Sequence, residues 1–282
     1  MTITSASVSS PPVVNFTVTN ETGAGMNGIV ATDLRFNIAK LTPGPNGEPS
    51  AWQNYINIAA AGGAVQGSQE AADLVLGTLV NHGDGTYTYT FATNITSPAA
   101  NPCPAPCKDA AGKALDLSFQ PNATHRVTIQ QGNPAYPVAV GILDFVPGGG
   151  AGTRRDIVAT AKCNECHEQV SGHEGTRVDT RLCVTCHNPG SSVATPGQPN
   201  VTVDFKVMIH KIHYNNAGAA VPSVVAGTPL VAALPSVIAG TPYVVGDTNF
   251  SARRPAGVTF TQDARNCTKC HDGTPGAANA TA

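Results

Sequence analysis

The sequence predicts a chain in two parts: an all-β immunoglobulin-like sandwich over residues 1–148, and over 149–282 a domain of mostly coil with short helices. Three observations carry this. Short alternating or β-branched runs, broken by Gly, Pro and Asn clusters, fill the first half. A glycine-rich stretch, PGGGAG at 147–152, reads as a flexible joint. After it, Cys-x-x-Cys-His recurs at 163–167, 183–187 and 267–271, the attachment signature of a c-type haem, so the second part is expected to be a multihaem domain.

In chain order, the strand candidates are VVNFTVT, LRFNIA, TYTYTF and HRVTIQ. The best local signal is a hairpin in NHGDGTYTYTF, where His82 to Gly85 supply the turn chemistry directly before an alternating strand. Cys103 and Cys107, in CPAPC, are close enough for a small loop-closing disulfide, with free thiols as the alternative. No catalytic constellation is visible in this half, and His82 and His125 read as ordinary strand or turn histidines. A spacer, docking or polymerising role is expected of it.

The motif spacing has a chemical reason. Two thiols three positions apart reach the two vinyl groups of one porphyrin, and the adjoining imidazole falls under the iron. Cys163 and Cys166, Cys183 and Cys186, and Cys267 and Cys270 would therefore attach three covalently bound haem c groups, with His167, His187 and His271 as proximal ligands. The competing reading is a tetrathiolate zinc site from the first four cysteines. Zinc needs no histidine after each second cysteine, and the third motif would be left over.

A haem that only passes electrons takes a second axial ligand. His173, His210 and His213 are the only non-motif histidines of the second half, so three proximal and three distal ligands match in number. His210 and His213 lie in DFKVMIHKIHY (204–214), which opens on Asp204 as an N-cap and carries apolar residues at helical spacing. Side by side on one helical face, they would serve two different irons and hold those haems close. His173 follows the first motif too soon to wrap around its own haem and is expected to ligate a neighbour. Residues 222–244 hold a tandem repeat, PSVVAGTPLV then PSVIAGTPYV, read as an extended loop whose Val224, Val225, Val237 and Ile238 suit packing on haem faces or a neighbouring subunit, with plain loop duplication as the equal alternative.

The net charge of −2 argues against nucleic-acid binding. Candidates to offset haem propionates are Arg154, Arg155, Arg177, Arg181, Lys206, Arg253, Arg254 and Arg265. No run is long enough to span a membrane. No charged stretch followed by an apolar one opens the chain, so its export signal is expected to have been removed or never included.

The segments RDIVATAKCNECH, RVDTRLCVTCHNPG, VDFKVMIHKIH and RNCTKCHDG, in that order, resemble the first haem-bearing stretch of the OmcA/MtrC family of outer-membrane decahaem cytochromes. VVNFTVTNETG, LRFNIAKLTPGPNGEPSAWQNYI and NHGDGTYTYTF resemble the β-domain that precedes it. The resemblance implies an exported, extracellular or outer-cell-surface electron carrier, not an enzyme, with bis-histidine haems. Its expected partners are other multihaem cytochromes and extracellular acceptors such as metal oxides. Three haems are fewer than the family's ten, and end-to-end repetition would rebuild an uninterrupted relay, so a homopolymeric filament is expected. A monomeric surface or periplasmic shuttle, or a multihaem reductase with one open haem, are the alternatives.

Overall fold

The computed structural model describes residues 1–44, 49–60, 64–97, 103–153, 155–195, 198–214, 243–250 and 266–271. Among the described residues the first half contains ten strands: β1 (Thr2–Ser7), β2 (Val13–Thr17), β3 (Leu34–Thr42), β4 (Ala51–Asn54), β5 (Asn57–Ala59), β6 (Val65–Gly67), β7 (Thr78–Asn81), β8 (Thr86–Thr90), β9 (His125–Gln131) and β10 (Val140–Phe145). Two four-stranded sheets, ordered β1-β2-β8-β7 and β10-β9-β3-β4, form the sandwich. Every ladder in them is antiparallel.

Alternation explains the core. Phe16 of β2 and Tyr87 and Tyr89 of β8 face Leu34, Phe36 and Ile38 of β3 and Val127 and Ile129 of β9, all fully buried. The Phe36 and Tyr89 rings stack across the two sheets, and Phe16 meets Phe36 edge-on at 6.1 Å. The expected hairpin is β7–β8, with Gly83 and Gly85 at positive φ and Asp84 accepting from the Thr86 N–H at 2.9 Å. His125 lies in the core, its ring 3.0 Å from the Tyr55 hydroxyl and donating to the Ala123 carbonyl, while His82 sits exposed in the hairpin turn. Cys103 and Cys107 are joined by a disulfide.

The second sheet departs from simple alternation, because β9 is buried at all seven positions and β3 at seven of nine. Its outer face is covered by the second half of the chain. There α1 (Thr160–His167) and α2 (Thr180–Cys186) each carry one motif, and a hairpin of β11 (Ser192–Thr195) and β12 (Gln198–Thr202) leads into α3 (Phe205–Tyr214). A two-residue pair, β13 (Val244–Val245) with β14 (Thr248–Asn249), follows. The hairpins add β-structure to a region expected to be coil and short helices. Apart from Tyr243 and Val244, the tandem repeat lies outside the described residues, as do Arg154, Arg253, Arg254 and Arg265.

The joint at 147–152 is tied to the sandwich: Gly148 donates to the Pro121 carbonyl at 2.8 Å, and Thr153 donates to the Thr124 hydroxyl at 2.7 Å. Beyond it lies the main contact between the halves. Arg126 of β9, fully buried, donates to both carboxylate oxygens of Asp144 at 2.6 and 2.7 Å, to Asp156 at 3.0 Å, and to the Arg181 carbonyl of α2 at 3.2 Å. Its guanidinium lies 4.2 Å from the centre of the Trp52 ring. Beside it, Ala39, Leu41 and Trp52 form a small apolar cluster that Val184 of α2 joins. Replacing Arg126 by Leu removes the cation shared by the buried Asp156 carboxylate and the part-buried Asp144 carboxylate. The expected loss is about 3–5 kcal/mol of unfolding free energy, read by denaturant titration of the haem-loaded protein.

Candidate functional site

All three motifs lie on short local structure. His167 ends α1, His187 follows α2 directly, and the third motif begins in a single 3-10 turn at Cys267–Lys269. Asp179 caps α2, accepting from the Arg181 N–H at 2.9 Å while its carboxylate holds the Arg181 guanidinium at 2.7 Å. Hydrogen bonding to Arg181 pulls the Asp179 carboxyl below its usual range, overcoming its burial. Asp204 does the same for α3, accepting from Lys206 N–H at 3.1 Å.

The structure brings the six predicted histidines together in three pairs. The ring centres of His167 and His213 are 5.9 Å apart, those of His173 and His187 5.9 Å, and those of His210 and His271 6.1 Å. Two imidazoles bound on opposite sides of one metal at about 2.0 Å each have ring centres about 6 Å apart. Each pair contains one histidine that follows a Cys-x-x-Cys and one that does not.

Hydrogen bonding sets which nitrogen faces inward. His210 donates through Nδ1 to the Lys206 carbonyl at 2.7 Å, His213 to Ile209 at 2.8 Å and His187 to Val203 at 2.8 Å, while His271 bonds to the Ile157 carbonyl. An imidazole anchored through Nδ1–H presents Nε2 as its lone pair, the arrangement metal-ligating histidines use. Burial lowers the pKa of His187 and of His271, favouring the neutral form that ligates a metal.

The sandwich contributes side chains that the sequence reading missed. Around the second motif lies a small open cleft lined by His173, His187, Cys183, Cys186, Arg177, Leu182 and Gln69. The amides of Asn37 and Asn54 point at Cys186 Sγ from 3.6 and 3.7 Å. Burial drives the Cys183 thiol up to about 12 and raises Cys186 as well. Asn37 Oδ1 and Gln69 Nε2 are buried without hydrogen-bond partners, as befits the margin of a bound group. The signal for these residues lies in β3, where Ala39 and Leu41 make the outward face too apolar for a solvent-facing strand. The first and third motifs are joined by Glu165, which pairs with Lys162 at 2.7 Å and with Lys269.

Thiol pairs, anchored imidazoles and their ring spacing suit haem c. Among the described residues no three His, Cys, Asp or Glu side chains are grouped as around one metal ion.

The family described as outer membrane cytochrome MtrC/MtrF-like, domains II/IV, matches residues 155–282. Multiheme cytochrome MtrC of Shewanella baltica (strain OS185) is 29% identical over 218 residues, which is 72% of this chain and 28% of that protein. The crystal structure of the outer membrane decaheme cytochrome OmcA superimposes with a TM-score of 0.70 at 28% identity, covering 99% of this chain and 40% of that one. That of MtrC from Shewanella baltica OS185 gives 0.54 at 25% identity, covering 98% and 43%. Fold and motifs together define a multihaem c-type cytochrome. The second half of the chain matches that family's model, and the whole chain resembles OmcA and MtrC while spanning less than half the length of each of these relatives.

Gly67 lets the sandwich approach the second motif, since a Cβ there would lie 2.8 Å from Asn54 Nδ2 and 3.0 Å from the Cys186 backbone. Gly67→Ala is expected to destabilise the haem-loaded protein by about 1–3 kcal/mol, seen as a lower melting temperature.

Proposed function

We propose that the chain is a trihaem electron carrier with bis-histidine ligation at every iron, and that it works outside the cell or on its outer surface as the repeating subunit of a cytochrome filament. The carrying observation is the three imidazole pairs, each at the separation one axially bound iron needs. Cys163 and Cys166 with His167 and His213, Cys183 and Cys186 with His187 and His173, and Cys267 and Cys270 with His271 and His210 would hold one group each. Haem c, when bound, supplies a one-electron couple between ferric and ferrous iron.

The protein's part is positional. α3 holds His210 and His213 three residues apart, setting two pairs side by side. The carbonyls of Lys206, Ile209 and Val203 fix ring orientation, so no ligand need move when an electron passes. Were these histidine pairs to fill every axial position, no iron would be open to substrate, which favours a carrier over a reductase. End-to-end contact between copies would extend three centres into a continuous relay, and other multihaem cytochromes or extracellular acceptors such as metal oxides would lie at its ends. Among the described residues no helix is long and apolar enough to cross a membrane.

Ligation is tested by His213→Ala. The parent protein should be wholly low-spin and inert to carbon monoxide, whereas the variant should show a high-spin band and bind one carbon monoxide per chain once reduced. A parent that already binds carbon monoxide would point to an open haem. Assembly is tested by cryo-electron microscopy of the purified native protein, where filaments with haems meeting across the subunit boundary are expected and monomers alone would refute the polymer.

A further inference from the structure

We propose that Arg177 poises the second centre, making the His173/His187 pair the highest-potential of the three. The inference rests on the bis-histidine reading above and adds an ordering to it. Gly172 and Arg177 close a tight loop with paired backbone bonds of 2.9 and 3.2 Å, and His173 and Glu174 take left-handed φ of 49° and 62° inside it. One loop thus delivers both the His173 ring and the Arg177 guanidinium to the cleft beside Cys183, Cys186 and His187.

The guanidinium is held by neutral groups. Its Nη2 donates to Gln69 Oε1 at 3.1 Å and its Nε to Gln130 Oε1 at 3.2 Å, both from the buried face of the sandwich. Among the described residues no carboxylate lies in ion-pair reach of it, and a second cation, Arg35, lies near enough to act on it. Burial disfavours its charged form, as expected of a cation lacking a protein counter-ion. The other two motifs differ among the described residues: Glu165, Lys162 and Lys269 beside them are mutually paired and 22–38% exposed, so solvent screens them, and the buried Lys211 of α3 is turned onto the Tyr243 ring, 4.8 Å from its centre.

Reduction removes one positive charge from a centre. A nearby cation shielded from water therefore favours the reduced form, and a screened pair does so far less. Arg35 acts in the same direction, though its pairing with Asp73 at 3.2 Å on the surface weakens it. The second centre is thus the one that fills first with electrons, at the end of the domain packed on the sandwich.

The test is a redox titration of the full haem-loaded chain, resolved into three one-electron components, with near-infrared magnetic circular dichroism on each variant to report axial ligation. Arg177→Gln is expected to lower the highest component so that its reduced-to-oxidised ratio at fixed ambient potential falls about tenfold, equivalent to about 59 mV for one electron. Arg177→Lys keeps the charge and should hold the component in place. Gln69→Glu should lower it as well, by placing a carboxylate against the guanidinium, and it loses no bond because Gln69 Nε2 has no partner. If Arg177→Gln does not accumulate with three haems, the other two variants decide: a shift in Gln69→Glu with none in Arg177→Lys supports the proposal. An unmoved highest component in Gln69→Glu and Arg177→Gln, or a shift confined to the lower two, overturns it while leaving the ligation reading intact. Absence of the bis-imidazole band in the parent overturns both.

Discussion

The arrangement depends on Arg126. A guanidinium with no solvent exposure is costly to bury unless its donors are met, and here two carboxylates, a carbonyl and an aromatic face meet them. The partners come from β10, from the segment after the joint, from α2 and from β4. One side chain therefore fixes the glycine-rich joint, the helix carrying the second motif and the outer face of the second sheet relative to one another. Without that fixed relation Gln69, Gln130, Asn37 and Asn54 would have no defined position against Cys186 and Arg177.

From this anchor the remaining geometry runs through α3. Val203, just before the helix, accepts from the His187 ring, and Phe205 at its start donates to the His187 carbonyl at 3.0 Å. The same helix then presents His210 and His213 to the other two motifs. Two pairs thus take a histidine from one ten-residue element, and the third is anchored at its start. The second half buries few apolar side chains of its own, Leu182, Val201, Val203 and Tyr243 among the described residues, so its order comes from the sandwich beneath it and from what the motifs bind.

How much of this was legible in the sequence follows from what is local. Covalent attachment imposes a fixed five-residue spacing, so the motifs can be read directly. α3 could be read because its apolar positions recur with helical period and Asp204 precedes them. The hairpin at β7–β8 could be read because its turn needs glycine at positive φ. Which histidine would face which was beyond the sequence, since His173 reaches His187 through a left-handed turn and His213 reaches His167 only through the docking of α3. The sandwich was recognisable, and Ala39 and Leu41 mark the outer face of β3 as covered, but what covers it is seen only once the second half is laid on it.

Those outward residues bear on what the sandwich is for. A strand buried on both faces ordinarily reads as a continuous apolar run, because buried polar groups must all find partners. β9 instead alternates Val127 and Ile129 with Arg126, Thr128 and Gln130, and β3 places Asn37 between Phe36 and Ile38. Most of these side chains meet polar groups rather than methyl groups: Arg126 meets Asp144, Asp156 and the Arg181 carbonyl, Gln130 accepts from the Arg177 guanidinium, and the Asn37 amide donates to the Ser68 carbonyl beside Cys186 Sγ, while the Thr128 hydroxyl is buried without a hydrogen-bond partner. A spacer could bury the same area with valine and isoleucine at lower cost. The polar choice matches a surface that positions chemistry, so the sandwich is a wall of the second centre and not only a mount for it.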